Sequence, residues 1–382
     1  MMIYLDHNAT TPPPPEVIDA MLPFLREQWG NPSSLHAFGR DAGLAIDRAR
    51  EACAALLGAA RASEICFTSG GTESDNTAIR ALAAADPNKR HIITTAVEHS
   101  AVLQSCRALE REGYTLTYLP VARDGTLTVE TVAAALRPDT AFATIMWANN
   151  ETGVYFPIPA IAEWLAARGI PLHVDAVQAV GKLPIDVARV PVSTLAISAH
   201  KFHGPKGIGA LYVRRGTPFQ PLIRGGSQEY GRRAGTEGVP QIVGLGQAAT
   251  LAKHSLDICT ARVRALRDRL EHELLTCIPG AQRNGAVDQR VPNTLNISFP
   301  GVDGEGLILG LSERGLCAST GSACRAGSTE PSHVLTAMHL SPAALAGTLR
   351  LSLCRYTTDA EIDQAIEIIT QVVQSRRASC TH

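Results

Sequence analysis

Residues 172–213 read LHVDAVQAVGKLPIDVARVPVSTLAISAHKFHGPKGIGALYV, and this stretch holds three short β-rich segments, LHVDA, LAISA and ALYV. They are apolar with little alternation, as expected for strands buried on both faces. Three further runs of this kind lie toward the N-terminus: ICFTS, HIITT and AFATIMWA. Residues 73–85 and 158–168 have the length and apolar spacing of crossover helices. The pattern from about residue 65 to 213 predicts an α/β fold in which helices cover both faces of a mostly parallel sheet.

A region of different texture follows residue 239. A long helical stretch leads into the strand NTLNISF, a helix, a strand near Leu316, the strand TLRLSL and a final amphipathic helix from Asp359 to about Gln374. Because 382 residues exceed the size at which one hydrophobic core stops growing, two domains are expected. We predict a large domain over residues 15–255 and a smaller α+β domain formed by residues 1–14 and 256–382.

The composition excludes several classes of protein. Hydrophobic residues make up 45% and charged residues 19% of the chain, values typical of a globular enzyme. The formal net charge of -1 provides no basic surface for nucleic acid or for an anionic membrane, and the N-terminus lacks the pattern of a secretory leader. We therefore expect a cytoplasmic protein that acts on a small molecule, with neither nucleic acid nor a membrane as a partner.

The nine cysteines lack the spacing of a metal site. No C-x-x-C pair occurs, and the nearest neighbours are Cys317 and Cys324. Neither a zinc site nor any other metal site is indicated, and no disulfide framework is expected. In a reducing compartment most of the cysteines, such as Cys53 and Cys66, should be small buried side chains.

Five polar clusters follow the ends of predicted strands, which is where open α/β sheets bind their ligands. The clusters are TSGGTES from Thr68, VEH ending at His99, NNETG from Asn149, the segment from Asp175 to Gln178, and SAHKFHGPKG from Ser198. Each has an ordinary structural explanation as well: a glycine-rich turn, a helix cap, a polar turn or a carboxylate paired with arginine. All five nevertheless fall at strand ends of one sheet, which favours a shared ligand site.

The clusters contain the groups that one particular cofactor requires. Small residues around Gly71 and Thr72 allow backbone N–H groups at a helix start to approach a phosphate. Asp175, at the end of a buried strand, needs a cationic partner, and a protonated pyridine nitrogen is such a partner. His99 can stack on a ring, and the amides of Asn149 and its neighbour can bind a carboxylate or a phenolic oxygen.

One lysine fits the chemistry of an aldehyde cofactor. The chain contains five lysines: Lys89, Lys182, Lys201, Lys206 and Lys253. A lysine that forms a Schiff base must lie in the site and lose its proton easily, conditions that burial near other cations provides. Lys201 fits best because it follows a strand end beside Ser198 and His200. Together with the aspartate and the phosphate-binding residues, it predicts pyridoxal phosphate as the cofactor.

At the level of motifs the chain resembles the NifS/IscS-type cysteine desulfurases, which are class V aminotransferases among the fold-type I pyridoxal phosphate enzymes. The resemblance runs nearly end to end and rests on YLDHNATT, GNPSSLHAFG, FTSGGTESDN, VEHSAV, MWANNETGV, HVDAVQAVGK, SAHKFHGPKGIGALYVRRG, GRRAGTE, PNTLNISF and STGSACRAGSTEPSHVL. MWANNETG, GRRAGTE and LCRYTT are closer to the nitrogen-fixation NifS branch. The resemblance implies a seven-stranded, mostly parallel sheet in the large domain.

The resemblance also implies roles for individual residues around the cofactor. Lys201 would carry the Schiff base, Asp175 would face the pyridine nitrogen, Gln178 would lie near the ring hydroxyl, and His99 would stack on the ring and act as a candidate acid or base. The implied phosphate contacts are Gly71, Thr72, Ser198 and His200, together with Thr236 from the other subunit of a homodimer.

Two further residues are implied to contact the edge of the cofactor and the substrate. Asn150 would lie at the cofactor edge and near the substrate, and Arg350 would bind the substrate carboxylate. Arg350 is credible from chemistry alone because a guanidinium binds a carboxylate in a bidentate manner. Its alternative is a surface salt bridge.

Cys324 stands in STGSACRAGS, a stretch of small residues that suits neither a helix nor a packed strand. We expect a mobile loop over about residues 319–330 that carries a reactive thiol, since Arg325 would stabilise the thiolate. The alternative for any single cysteine is a small buried side chain.

The implied reaction converts L-cysteine to L-alanine and leaves a persulfide on Cys324, which supplies sulfur to a scaffold protein of the NifU/IscU type for iron–sulfur cluster assembly. Three other functions compete with it: a selenocysteine lyase, another pyridoxal phosphate transaminase or lyase, and a catalytically silent homologue that binds protein. A transaminase needs no thiol, and the presence of Lys201, Asp175, His99 and Cys324 speaks against a silent homologue.

Overall fold

The computed structural model describes residues 2–320 and 331–379. Its strands are β1 (Ile3–Tyr4), β2 (Ile65–Thr68), β3 (His91–Thr95), β4 (Thr115–Leu119), β5 (Thr140–Met146), β6 (Leu172–Asp175), β7 (Thr194–Ser198), β8 (Gly209–Val213), β9 (Gln282–Arg283), β10 (Thr294–Ser298), β11 (Leu316–Cys317) and β12 (Thr348–Ser352). Its helices are α1 (Pro15–Arg26), α2 (Ala37–Leu57), α3 (Gly71–Ala83), α4 (Ser100–Arg111), α5 (Val129–Ala134), α6 (Ile158–Ala166), α7 (Val239–Cys277), α8 (Gly304–Glu313), α9 (His333–Ala337), α10 (Pro342–Ala346) and α11 (Asp359–Ser379).

The large sheet has seven strands in the order β2-β8-β7-β6-β5-β3-β4. Strand β8 is antiparallel to both of its neighbours, and the other pairs are parallel. The segment between Ser198 and Gly209 is too short for a crossover helix, so β8 must return beside β7 in the opposite direction. The predicted α/β fold with a mostly parallel seven-stranded sheet is thus confirmed.

Strand β4 is the element of this sheet that the apolar runs did not reveal. It lies at the sheet edge and pairs with β3 alone. Its first position, Thr115, is exposed and only Leu119 is buried, whereas each residue of β5 is buried. Strand β4 therefore lacks the continuous apolar run by which the other strands of this sheet were recognised.

Two hydrophobic cores meet along the long helix α7. The residues near its start, such as Leu245 and Ala249, pack in the core of the large sheet. Later residues, such as Leu270 and Leu274, pack with β10, β12 and α11 in a second core. At Gly246 an added Cβ would lie 2.6 Å from the Cα of Ala49, so glycine permits the close packing of α2 against α7. The proposed division at residues 255 and 256 remains a prediction.

The second core also fixes the N-terminal segment. Strand β1 pairs in parallel with β11, and Leu5 is fully buried in this core. Burial of such a side chain contributes about 1.5–3 kcal/mol to stability. A bridge between Asp6 and Ser352 then carries the chain past the end of β12 toward the large sheet. In the ranges described, no helix has the length and apolar character needed to cross a membrane.

Candidate active site

A cavity of about 420 Å³ opens at the carboxyl ends of β2, β3, β5, β6 and β7. It brings together ten residues that the sequence predicted for the site: Gly71, Thr72, His99, Asn150, Asp175, Gln178, Ser198, His200, Lys201 and Arg350. Parallel strands end at one edge of a sheet, so residues far apart in the chain meet there.

The start of α3 forms an end of the cavity suited to an anion. Gly70 precedes the helix with φ of 155°, a conformation that L side chains rarely adopt, and a Cβ on Gly71 would lie 2.8 Å from Cγ2 of Val177. These glycines let the N–H groups of the helix start face the cavity beside Ser198 and His200. Burial and the neighbouring lysines lower the pKa of His200 to about 4, so its ring is neutral near pH 7.

Asp175 lies on the floor of the cavity at the end of β6 and is 6% exposed. One carboxylate oxygen, Oδ1, accepts a hydrogen bond from the backbone N–H of Val177 at 2.9 Å. Burial raises the pKa of Asp175, and the nearby His99 and Lys201 partly offset this effect. Within the described ranges no arginine forms an ion pair with Asp175, so an arginine pair does not explain its position.

Lys201 ends a short 3₁₀ turn, Ala199–Lys201, directly after β7. Its Nζ donates to the backbone carbonyl oxygens of Asn8 at 2.7 Å and of Ala9 at 2.9 Å. The ammonium group of Lys201 is thus held over the floor by the N-terminal segment. By contrast, Lys206 is exposed, in agreement with its expected position in a turn.

His99 serves as a helix cap and as a cavity residue at once. Its Nδ1 accepts a hydrogen bond from the N–H of Ala101 at 3.1 Å at the start of α4. In the neutral ring the proton must therefore reside on Nε2, the other nitrogen. The cap fixes the tautomer of an imidazole that lines the cavity.

The NNETG cluster divides between structure and site. Oδ1 of Asn149 accepts from the N–H groups of Glu151 and Thr152, and its Nδ2 donates to the carbonyl oxygen of Val97, so Asn149 builds the turn. Asn150 lines the cavity. Of these two asparagines, the explanation as a polar turn therefore holds for Asn149 alone.

Arg350 reaches the cavity from β12 and is 2% exposed. Its Nη2 donates to Oδ1 of Asp6 at 2.6 Å, and its Nη1 donates to the carbonyl oxygen of Asn150 at 3.1 Å. The interpretation of Arg350 as part of a surface salt bridge is wrong because the side chain is buried. An acid partner and a fixed guanidinium prepare it to bind a carboxylate.

Two predicted site residues are not part of this cavity. Thr236 is exposed, and its neighbours Gly235 and Glu237 line a different groove. Cys324 and the residues around it lie outside the described ranges. Among the described cysteines, Cys53 and Cys66 are buried as expected, and burial raises the pKa of each thiol to about 12.

Three residues of the site were not identified from the sequence. Asn8 and His333 line the cavity, and Lys182 lies behind Gln178. His333 donates from Nε2 to the carbonyl oxygen of Glu98 at 3.0 Å. Each stands within a motif that carries the family resemblance, but the motif gives no indication of which neighbour the side chain contacts.

Buried acids lie beneath the floor. Asp75 forms a hydrogen bond of 3.2 Å with Nε2 of His173. Burial raises the pKa of Asp75 well above its usual range. Burial likewise raises the pKa of Glu98 to about 8. With a pKa of about 8, the protonated and uncharged form of Glu98 predominates near pH 7. In the described ranges, no group of three metal-ligating side chains occurs.

The residues present fit pyridoxal phosphate. A helix start with glycines suits the phosphate, the buried carboxylate of Asp175 suits a protonated ring nitrogen, and Lys201 lies between them. Residues 3–365 match the aminotransferase class-V family. The chain belongs to this family. Its members use pyridoxal phosphate, which confirms the cofactor and the enzyme class expected from the sequence.

Similar proteins agree on one activity. A cysteine desulfurase of Trichormus azollae is 55% identical over 377 residues, which cover 99% of this chain and 94% of that protein. The cysteine desulfurase NifS of Azotobacter vinelandii is 51% identical over 375 residues, which cover 98% of this chain and 93% of that protein. A solved NifS-like protein superimposes with a TM-score of 0.92 at 38% identity, covering 98% of this chain and 100% of that one.

Proposed function

We propose that this class V aminotransferase homologue is a pyridoxal phosphate-dependent cysteine desulfurase that converts L-cysteine to L-alanine and retains the sulfur as a persulfide on Cys324. The observation that carries the proposal is the meeting of Lys201, Asp175 and Arg350 in one cavity. Similarity to cysteine desulfurases over nearly the whole chain supports the same substrate.

Each cavity residue has a binding role in this proposal. These residues line the cavity: Gly71, Thr72, Ser198 and His200 would hold the phosphate, Asp175 would hold the ring nitrogen, His99 would stack on the ring, and Gln178 and Asn150 would contact its edge. When bound, the protonated ring withdraws electrons and stabilises negative charge on the substrate's α carbon. The buried carboxylate of Asp175 keeps that ring nitrogen protonated because a buried anion is favoured beside a cation.

Arg350 and Lys201 act on the amino acid. The guanidinium of Arg350 binds the substrate carboxylate and thereby fixes the α carbon near Lys201. Lys201 would remove the α proton with the lone pair on a neutral Nζ. His99, whose proton resides on Nε2 in the neutral imidazole, could donate a proton within the same cavity.

Sulfur transfer requires the thiol of Cys324. Its thiolate, stabilised by Arg325, forms a bond to the substrate sulfur while the substrate's Cβ–S bond breaks. The electron pair of that bond stays with Cβ, which then takes up a proton, so the products are alanine and an enzyme persulfide. No external oxidant or reductant is needed, since the substrate exchanges its SH group for a hydrogen and the enzyme thiol exchanges its hydrogen for that SH group.

The test is incubation of the purified protein with L-cysteine, followed by measurement of alanine and sulfide in the presence of a thiol reductant. Cys324→Ser is expected to bind the cofactor and the amino acid but to release no alanine at a useful rate. The exposed Cys277 provides the matched control Cys277→Ser, which is expected to remain active.

Mass spectrometry after one turnover is expected to find one additional sulfur on the peptide that contains Cys324. An additional sulfur on Cys317 or Cys354, or full activity of Cys324→Ser, would refute the assignment. If selenocysteine were the only accepted substrate, a selenocysteine lyase would be favoured. Transamination without release of sulfide would favour a transaminase, and binding of protein without turnover would favour a silent homologue.

The biological setting is a further proposal. We infer a homodimer because Thr236 is exposed and does not line the cavity of its own chain, which suits a contact with the partner subunit's phosphate site. Mixing the inactive variants Lys201→Ala and Thr236→Ala is expected to restore part of the activity through hybrid dimers. We further propose that the protein acts in the cytoplasm and passes sulfur to a NifU/IscU-type scaffold in the nitrogen-fixation branch.

A further inference from the structure

A second buried lysine lies behind the cavity. Lys182 follows the turn after β6 and is 9% exposed. Its Nζ donates to Oε1 of Gln178 at 2.5 Å and to Oδ1 of Asn8 at 3.3 Å. Both acceptors are amide oxygens, so this cation is held by uncharged groups. A buried ammonium with such partners is costly, and its presence needs a reason.

The contacts of Lys182 fix the orientation of the Gln178 amide. Nε2 of Gln178 donates to the backbone carbonyl oxygen of Asn8 at 3.0 Å, while its Oε1 accepts from Lys182. A carbonyl oxygen can only accept and an ammonium can only donate, so the reversed amide would lose both bonds. The second N–H of Gln178 is left for the cavity, which this residue lines.

Lys182 and Lys201 are joined through Asn8. The carbonyl oxygen of Asn8 accepts from Nζ of Lys201 at 2.7 Å, and its side-chain oxygen accepts from Lys182. The Asn8 side chain is anchored further by its Nδ2, which donates to Oγ1 of Thr294 at 2.9 Å and to the carbonyl oxygen of Asn150 at 3.1 Å. Asn8 is 2% exposed, so this link is shielded from water.

We propose, on the basis of the proposed function, that Lys182 is a positioning residue of the cofactor site, which turns the Gln178 amide so that an N–H faces the ring oxygen and places a cation behind Lys201. An N–H donor stabilises a negatively charged ring oxygen, whereas the amide oxygen would repel it. A neighbouring cation makes Lys201 easier to deprotonate.

The charges around Lys182 support its proposed effect on the deprotonation of Lys201. Burial, followed by the charges of Lys201 and Arg350, lowers the pKa of Lys182 to about 7. Three histidines interact with it, and burial lowers their pKa values to about 3 or 4: His7, His200 and His203. These rings are neutral near pH 7, and Arg350 is paired with Asp6. Cys259, Cys354 and Arg355 line the same pocket as Lys182. With a pKa of about 7, Lys182 changes its charge beside Lys201 near neutral pH.

The first experiment titrates the visible absorbance of the bound cofactor in the holoenzyme against pH. Lys182→Met is expected to raise the midpoint by about one pH unit, because loss of a nearby cation favours the protonated form of the nitrogen of Lys201. It is also expected to weaken cofactor binding roughly threefold to tenfold through loss of the oriented donor. Lys253→Met, at an exposed lysine of α7, is the matched control and is expected to change neither quantity.

Lys182→Gln separates the effect of the charge on Lys201 from the orientation of the Gln178 amide. It is also the alternative variant if Lys182→Met does not fold. It lacks the charge but keeps a donor for Gln178, so its midpoint is expected to rise while its cofactor affinity stays near that of the wild type. A wild-type midpoint in Lys182→Gln would overturn the electrostatic part. Wild-type affinity in Lys182→Met would overturn the orienting part.

A double-mutant cycle tests whether Lys182 acts through Gln178. If it does, Lys182→Met in a Gln178→Ala background is expected to cause no further loss of cofactor affinity. Additive losses would contradict the proposed route. Failure of the wild-type chain to bind pyridoxal phosphate would instead overturn the proposed function, so the two failures are distinguishable.

Discussion

The floor and the wall of the cavity are built in different ways. Of the floor residues, Asp175 ends β6 and Lys201 ends the short turn after β7, so neighbouring strands of one sheet place them. Among the wall residues, Asn8 and Arg350 come from segments that pack in the second core, whereas His333 begins α9, whose Val334 and Leu335 pack in the core of the large sheet. Local structure thus supplies the reactive groups, and long-range packing supplies the groups that orient them.

If the floor carries the chemistry, the largest effect is expected at Lys201. Lys201→Ala should lose the covalent attachment of the cofactor and at least about 10⁴-fold in kcat, since attachment and proton transfer both depend on Nζ. Lys206→Ala, at the exposed neighbouring lysine, should keep nearly full activity. Borohydride reduction followed by peptide mapping checks the assignment, and a label on Lys206 would show it to be wrong.

A floor residue that is not a nucleophile should lower kcat without releasing the cofactor. Asp175→Asn keeps the shape of the side chain but removes the charge that holds the ring nitrogen protonated, and a loss of about 10³-fold in kcat is expected. Absorbance should show that the cofactor stays bound. Asp288→Asn, at an exposed aspartate, is the control. Normal turnover by Asp175→Asn would contradict the role.

The difference between floor and wall also decides what the sequence could predict. Asp175 and Lys201 were found because a buried strand has a recognisable apolar run and the residues after it lie at a known edge of the sheet. Lys182 was counted among five lysines without a role, since its partners Asn8 and Gln178 are known only once the N-terminal segment has been placed. The contacts that orient a site depend on packing that no local pattern encodes.

The edge strand β4 and the tautomer of His99 illustrate the same limit. Strand β4 has too few buried positions to give an apolar run. His99 was assigned either to a cap or to the ring, whereas in the structure it caps α4 through Nδ1 and also lines the cavity. Residue type gave the possible roles of His99, and geometry decided how they combine.

A wall residue should affect substrate binding more than turnover. Arg350→Gln removes the guanidinium that would bind the carboxylate, and a fall of about 10²-fold in kcat/KM is expected, mostly through KM. Arg189→Gln is the matched control because this arginine is 88% exposed. Steady-state kinetics with L-cysteine provides the measurement. A loss confined to kcat would contradict the expectation that wall residues affect substrate binding and floor residues affect turnover.

The last expected effect lies beneath the floor and concerns stability rather than turnover. Oε1 of Glu98 accepts from Oγ1 of Thr95 at 2.7 Å and from the N–H of Met146 at 2.9 Å. Both bonds need only an acceptor, so Glu98→Gln can preserve them while it removes the ionisable group. The variant therefore measures the free-energy cost of ionising Glu98 in the folded protein while the packing around this side chain stays the same.

Burial raises the pKa of Glu98 to about 8 in the folded protein, above its value in the unfolded chain. The folded state therefore holds a proton that the unfolded state has lost, and the stability from this group, complete at low pH, declines as the pH rises toward 8. Glu98→Gln has no such decline. Relative to the wild type, its free energy of unfolding should improve by up to about 1.4 kcal/mol per pH unit between roughly pH 5 and pH 8. Urea unfolding of both proteins at saturating cofactor measures this difference, and a difference independent of pH would show that Glu98 is already ionised in the folded protein.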